Sequence, residues 1–241
     1  RDKDHGRVWR ITAKDRPLIK KPKLIDAALP ELVDHLKSPE QWTRHQARNV
    51  MAERDRDAVA KELATWVTKL DPKDPDHDHH LVEAMWACQN VERPSEDILK
   101  RVLSAKDGHA RSAGARVIRY WHEKLSDPVA LLAKAAADPF PRVRMEAILS
   151  AGYIPKAEAF SAALVALDHP RDAAIDIALP QTVNALESLW RPLLEANKLK
   201  FDKESHRDFA EREAGIGFEK RLGAYLKKKS PGLDETRSII D

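Results

Sequence analysis

Apolar residues recur at helical spacing from residue 24 onward. Val59, Leu63, Trp66, Val67 and Leu70 lie at i, i+4, i+7, i+8 and i+11, which places them on one face of a helix. Similar stripes follow along the chain: Leu81, Ala84, Met85 and Cys88; Ala110, Ala113, Val117, Ile118 and Trp121; Val129, Leu132, Ala133 and Ala136; Phe160, Ala163, Leu164 and Leu167; Val183, Leu186, Trp190 and Leu193. Short breaks separate the stripes, which favours antiparallel helix neighbours.

Proline dipeptides between the stripes predict where helices begin. At Ser38-Pro39 the serine is expected to cap a helix whose first residue is the proline. Asp127-Pro128 and Asp138-Pro139 predict two further starts of the same kind.

An arginine recurs near the start of three predicted helices, each time followed three residues later by alanine or glycine. These arginines are Arg44, Arg111 and Arg144, and the gap between the first two is filled by Leu81 to Ala84, where no arginine occurs. A small residue lets two helices approach closely, and the arginine is expected to cap or to bridge to the neighbouring turn. A unit repeated in this way predicts an all-α, HEAT-like solenoid, and residues 138–147 closely match the HEAT signature.

The N-terminal region has a different pattern. Residues 5–12 alternate as in a β-strand but have no predicted strand to pair with, and a basic linker follows, interrupted by Pro17 and Pro22. We therefore divide the chain into residues 1–23, a strand remnant and linker from a preceding domain; residues 24–199, the solenoid; and residues 200–241, a helical or partly disordered tail. The chain begins at Arg1 and is expected to be a piece of a longer protein.

Several segments, in this order, carry a more specific resemblance: Gly6 to Ile11, Ser38 to Trp42 with Arg44 and Ala47, His80 to Trp86, Arg142 to Ala147, Leu167 to Pro170, and Ala185 to Glu187 with Trp190. The order resembles the HEAT-repeat segment of bacterial, planctomycete-type multidomain proteins, in which a sorbosone-dehydrogenase-like β-propeller precedes HEAT repeats and a c-type cytochrome domain. The resemblance implies a spacer or scaffold in a periplasmic or otherwise extracytoplasmic protein. It assigns neither sugar oxidation nor haem binding to any residue of this chain.

Composition narrows the classes of function. With 42% hydrophobic and 34% charged residues the chain is too apolar to be disordered, and no apolar run is long enough to span a membrane. The net charge of +3 is nearly balanced, unlike that of a dedicated DNA-binding domain. The single cysteine, Cys88, excludes an internal disulfide and a CxxC site within the chain.

Histidines at the start of one predicted helix form a candidate metal site. His77, His79 and His80 alternate with aspartates and could bind Zn²⁺ or another divalent ion. Consecutive histidines point in different directions, however, so a solvated loop that leads into a helix is the favoured interpretation. No cofactor is predicted for this chain.

Seven arginines could line the concave side of a solenoid: Arg44, Arg48, Arg111, Arg116, Arg119, Arg142 and Arg144. HEAT-like DNA glycosylases hold duplex DNA in a groove of this kind through phosphate contacts. The alternative is a set of local salt bridges with Asp107, Glu123, Asp138 and Glu146, which the balanced charge favours.

Other reactive or aromatic residues have simpler interpretations. Cys88 lies on an apolar stripe and is predicted to be buried, and His122 is predicted to end a helix. Trp66 and Trp121 are predicted core residues, whereas Trp42 and Trp190 are candidate exposed anchors.

Three functional hypotheses result. The first is a non-catalytic scaffold that binds a protein partner or neighbouring domains of the same polypeptide. The second is a nucleic-acid-binding HEAT protein of the DNA glycosylase type. The third is a HEAT-like lyase that attaches chromophores, which the absence of a complete catalytic constellation in the sequence disfavours.

Overall fold

The computed structural model describes residues 20–217, together with positions 6, 9, 11, 12, 14, 15 and 17. Across these residues it contains twelve α-helices and no β-strand, so the all-α prediction is confirmed there. The predicted strand at 5–12 falls largely outside the described residues, and its described positions are not in a strand. Most of the predicted tail beyond α12, including Lys227 to Lys229, also lies outside them.

Alternate helices form one continuous row, which we call the even row, because each member packs on the next. Its members are α2 (Gln41–Ala52), α4 (His77–Asn90), α6 (Gly108–Trp121), α8 (Pro141–Ala151) and α10 (Ala173–Ala185). The helices between them pack on the even row from behind: α3 (Arg56–Thr68), α5 (Glu96–Leu103), α7 (Pro128–Ala136), α9 (Ala157–Leu164) and α11 (Glu187–Glu195). Helices α1 (Leu29–Asp34) and α12 (Glu204–Glu213) lie near the two ends of the described chain.

Helix α5 shows how local sequence produces these elements. Its N-cap, Ser95, accepts a hydrogen bond from the backbone N–H of Ile98 at 3.4 Å. Acidic residues occupy its first turn and basic residues its last, which suits the helix dipole. Its apolar face, which includes Leu99 and Val102, is buried against the neighbouring helices.

The predicted helix starts are correct in one case and wrong in two. Asp127 caps α7, accepting from the N–H of Ala130 at 2.9 Å, with Pro128 at the first helical position. By contrast, α2 and α8 begin two residues later than predicted, at Gln41 and Pro141. The backbone carbonyls that would accept the first intrahelical hydrogen bonds of the predicted helices instead accept hydrogen bonds from arginine side chains, as described below. The turns before these helices therefore stay extended.

The tryptophans separate into core and surface. Trp66 and Trp121 are buried, as predicted. The prediction that Trp190 is an exposed anchor is wrong: its side chain is 1% exposed, stacks on Phe160 with ring centroids 4.5 Å apart, and donates to the carbonyl of Val183 at 2.9 Å. The apolar stripe that contains Trp190 is divided between α10 and α11, because the helix is interrupted at Leu186.

Candidate interaction surface

The recurring arginine has the same geometry in three helices of the even row. It is the fourth residue of each helix, and its terminal nitrogen donates to the two carbonyls that lie five and six residues earlier. The acceptors are Ser38 and Pro39 for Arg44 (2.7 and 3.0 Å), Ala105 and Lys106 for Arg111 (2.9 and 2.8 Å), and Asp138 and Pro139 for Arg144 (2.8 and 3.0 Å). Each arginine therefore fixes the turn that leads into its own helix.

The same side chains also bridge to the next unit, as the sequence predicts. Arg111 forms a bidentate pair with Asp138, at 2.7 and 2.9 Å, and this hydrogen bonding raises the pKa of Arg111. Arg144 donates to the carbonyl of Pro170 at 2.6 Å. These contacts tie α6 to the turn before α8, and α8 to the turn before α10.

Small residues accompany the arginines and allow close packing. A Cβ atom on Gly114 would lie 3.1 Å from side-chain atoms of Val102 and Leu103 on α5. Ala47 and Ala147, at the matching positions of α2 and α8, are buried. The expectation that a small residue permits close helix approach therefore agrees with the packing.

Helix α4 departs from this pattern. Its fourth residue is His80, which is buried, and its Nδ1 has no hydrogen-bond partner among the described residues, with Asp74 Oδ2 3.8 Å away. Burial lowers the pKa of His80 because desolvation disfavours the imidazolium. The position three residues later holds Glu83, which is not a small residue.

Two buried glutamates each bind a pair of arginines. Glu83 accepts from Arg44 Nε at 2.9 Å and also from Arg48, and both bonds join α2 to α4. Glu146 accepts from Arg119 at 2.8 Å and from Arg116 Nε at 3.1 Å, which joins α6 to α8. Both glutamates are 2% exposed. Of the four acids expected as arginine partners, Asp138 and Glu146 have this role, and Glu83 has it without having been predicted.

Exposed aromatic residues lie beside these arginines. Trp86, Tyr120 and Tyr153 are 38%, 61% and 62% exposed. Arg119 lies 6.0 Å from the ring of Tyr120 and 5.3 Å from that of Tyr153, and Arg48 lies 5.9 Å from the ring of Trp86. We call the exposed surface formed by Trp86, Arg116, Tyr120, Arg142 and Tyr153 the even-row face.

A depression of about 300 Å³ opens on this face between α4, α6 and α8. Arg116 and Arg142 line it together with Trp86, His79 and His109. Arg142 is exposed and forms no ion pair with any residue in the described part of the chain. The sequence pattern identified the arginines as candidate surface residues. The position of the tyrosines beside Arg119, and the depression itself, depend on the packing of α6 against α8.

The candidate metal ligands do not converge. His77 pairs with the adjacent Asp78 at 3.2 Å, His79 faces Glu83 at 3.5 Å, and His80 is buried. Within the described residues, no three histidine, cysteine, aspartate or glutamate side chains are arranged to hold a metal ion.

The other two candidate reactive residues, Cys88 and His122, are part of the packing and of a helix end. Cys88 is fully buried, and desolvation raises the pKa of its thiol to about 12. His122 lies where α6 ends, with Nδ1 2.9 Å from the carbonyl oxygen of Arg119.

No protein-family model matches the chain, and no curated protein or solved structure matches it. Among the described residues, no helix combines the length and apolar character needed to cross a bilayer.

Proposed function

We propose that the chain is a HEAT-like α-solenoid that acts as a non-catalytic interaction module and binds a segment of a protein partner along the even-row face. The observation that carries this proposal is that Trp86, Arg116 and Arg142 line one depression. Exposed Tyr120 and Tyr153 lie beside Arg119, which binds the same Glu146 as Arg116. Tryptophan, tyrosine and arginine are the residues that most often dominate the energy of protein interfaces.

The packing of the even row supports the solenoid part of the proposal. Each even helix packs on the next, and the arginine bridges recur between units about as long as a HEAT repeat. Stacked units make a long surface of fixed curvature, which suits a scaffold. In the setting that the resemblance implies, such a scaffold would hold a propeller and a cytochrome domain at a fixed spacing outside the cytoplasm.

The internal use of the arginines disfavours the nucleic-acid alternative. A DNA groove needs guanidinium groups free to reach successive phosphates. Among the described residues, six of the seven candidate arginines hold internal acids or carbonyls, and Arg142 alone has no ion-pair or hydrogen-bond partner. This distribution favours a protein partner.

A selection that presumes nothing about partner sequence tests the proposal. Random 12-residue peptides displayed on phage are selected against the full chain, and the enriched peptides are titrated by fluorescence anisotropy. We expect Trp86→Ala and the double variant Tyr120→Ala/Tyr153→Ala to weaken binding about tenfold or more.

Trp42→Ala is the matched control, because Trp42 is also exposed but lies outside the even-row face. It should leave the affinity unchanged. Failure to enrich any peptide, or equal binding by all of these variants, would contradict the proposed function.

A further inference from the structure

The even-row face carries an excess of positive charge that its internal ion pairs do not cancel. Each buried glutamate is shared by two arginines, so each cluster of three side chains has a formal charge of +1. Arg142 adds another positive charge at the rim of the depression. Two acids also line the depression: Glu146, which is already paired with Arg116 and Arg119, and Asp107, whose carboxylate caps α6 by accepting from the N–H of His109 at 3.0 Å. The three arginines Arg116, Arg119 and Arg142 outnumber these two acids by one.

Arg116 presents part of this excess to solvent. Its side chain is 51% exposed, although the carboxylate it binds is buried. A guanidinium has five N–H donors, and Arg116 uses its Nε and one terminal nitrogen on a single oxygen of Glu146. Donors of Arg116 therefore remain available for a second acceptor that approaches from outside.

From this geometry we propose that the segment bound on the even-row face is acidic, with a carboxylate side chain that enters the depression between Arg116 and Arg142. This inference rests on the proposed function and specifies the chemistry of the partner. The depression, about 300 Å³, is large enough for a glutamate or aspartate side chain, and Val82, Ala110 and Ala113 make part of its wall apolar. An acidic residue flanked by apolar or aromatic neighbours would match both the charge and the exposed rings.

The distribution of charge favours an acidic peptide over a nucleic-acid strand. A strand carries a phosphate at every nucleotide and needs a row of free cations to follow it. Here the available guanidinium donors are concentrated at one depression, because the arginines on either side hold Glu83, Asp138 and Glu146. One or two carboxylates fit that arrangement better than a regular phosphate backbone does.

Three defined probes test the inference on the full chain. The first is a fluorescein-labelled 12-residue peptide in which glutamate and aspartate alternate with leucine and tyrosine. The second has the same sequence with glutamine and asparagine in place of the acids, and the third is a 12-nucleotide oligodeoxythymidylate. We expect the acidic peptide to bind at least about tenfold more tightly than its amide counterpart in 50 mM salt, and to weaken as salt rises.

Variants locate the contact. Arg142→Glu should weaken binding of the acidic peptide about tenfold or more, and Arg142→Lys should retain part of the affinity. Arg101→Glu is the matched control, because Arg101 is an exposed arginine on α5, away from the even-row face, and it should have no effect. Arg142 is exposed, so thermal unfolding should show all three variants folded.

The outcomes separate this inference from the proposed function. If phage-selected peptides bind the even-row face but the amide probe binds as well as the acidic one, the partner is not acidic and only the inference fails. If neither the selected peptides nor the acidic probe binds, both fail. Tighter binding of the oligonucleotide, lost in Arg142→Glu, would overturn both in favour of a nucleic-acid ligand.

Discussion

Arg44 of α2 and Glu83 of α4 are 39 positions apart in the chain, yet Nε of the arginine lies 2.9 Å from Oε1 of the glutamate. The glutamate is buried, and the same arginine holds two carbonyls of the turn before α2. One side chain thus fixes both its own helix start and the position of the next even helix. Arg111 and Arg144 repeat this double role farther along the row.

The cluster at Glu146 should stabilise the fold measurably. Glu146→Ala removes the counter-charge of Arg119, which is 12% exposed, and of Arg116, which water can partly solvate. We expect the free energy of unfolding, measured by urea denaturation, to fall by about 2 to 4 kcal/mol. The exposed Glu158 on α9 is the control, and Glu158→Ala should change it by less than about 0.5 kcal/mol. Equal effects of the two substitutions would show that the cluster contributes nothing.

Stability should fall in mild acid because of His80. Burial lowers the pKa of its imidazole, while Asp74 and Asp76 raise it and His79 and Lys37 lower it further. Below the unfolded pKa of about 6.5, the unfolded state binds more protons at this site, so the free energy of unfolding decreases as pH falls from there toward the folded pKa.

One titrating group can contribute a slope of at most about 1.4 kcal/mol per pH unit. Urea denaturation at pH 7.5, 6.0 and 5.0 measures it. His80→Gln should flatten the profile between these values, whereas His45→Gln, at an exposed site on α2, should not. An unchanged profile in His80→Gln would assign the acid sensitivity to other groups.

Trp190 should be a stabilising core residue. Its ring is buried and stacks on Phe160, so Trp190→Ala removes a large packed side chain and leaves a cavity between α9 and α11. We expect a loss of about 3 to 5 kcal/mol in the free energy of unfolding, compared with less than about 1 kcal/mol for the exposed Trp42→Ala. A small effect at Trp190 would mean that this end of the chain packs differently.

Features that depend on neighbouring residues in the sequence were predictable. The stripe from Val59 to Leu70 predicts α3, because a helix brings positions three and four apart onto one face. Asp127-Pro128 predicts the start of α7, because the capping carboxylate and the N–H that donates to it lie within one turn. The recurring arginine, followed three residues later by a small residue, predicts a cap or a bridge to the neighbouring turn.

Features that depend on residues in other elements of the fold could not be predicted from the sequence. Ser38-Pro39 has the local chemistry of a helix start. The backbone carbonyls of both residues, however, accept hydrogen bonds from the side chain of Arg44, and α2 begins at Gln41. Nothing near Glu83 in the sequence shows that two arginines of another helix will bind it, and nothing near Trp190 shows that Phe160 will cover it.

The sequence by itself therefore determined that the described part of this protein is helical, and which residue recurs to join its helices. Tertiary structure alone decided that Glu83 binds two arginines, that Trp190 is buried against Phe160, and that Trp86, Arg116 and Arg142 line one depression. The physical reason is range: helix periodicity and capping act within about four residues, whereas burial and ion pairing depend on segments that come together only when the chain has folded.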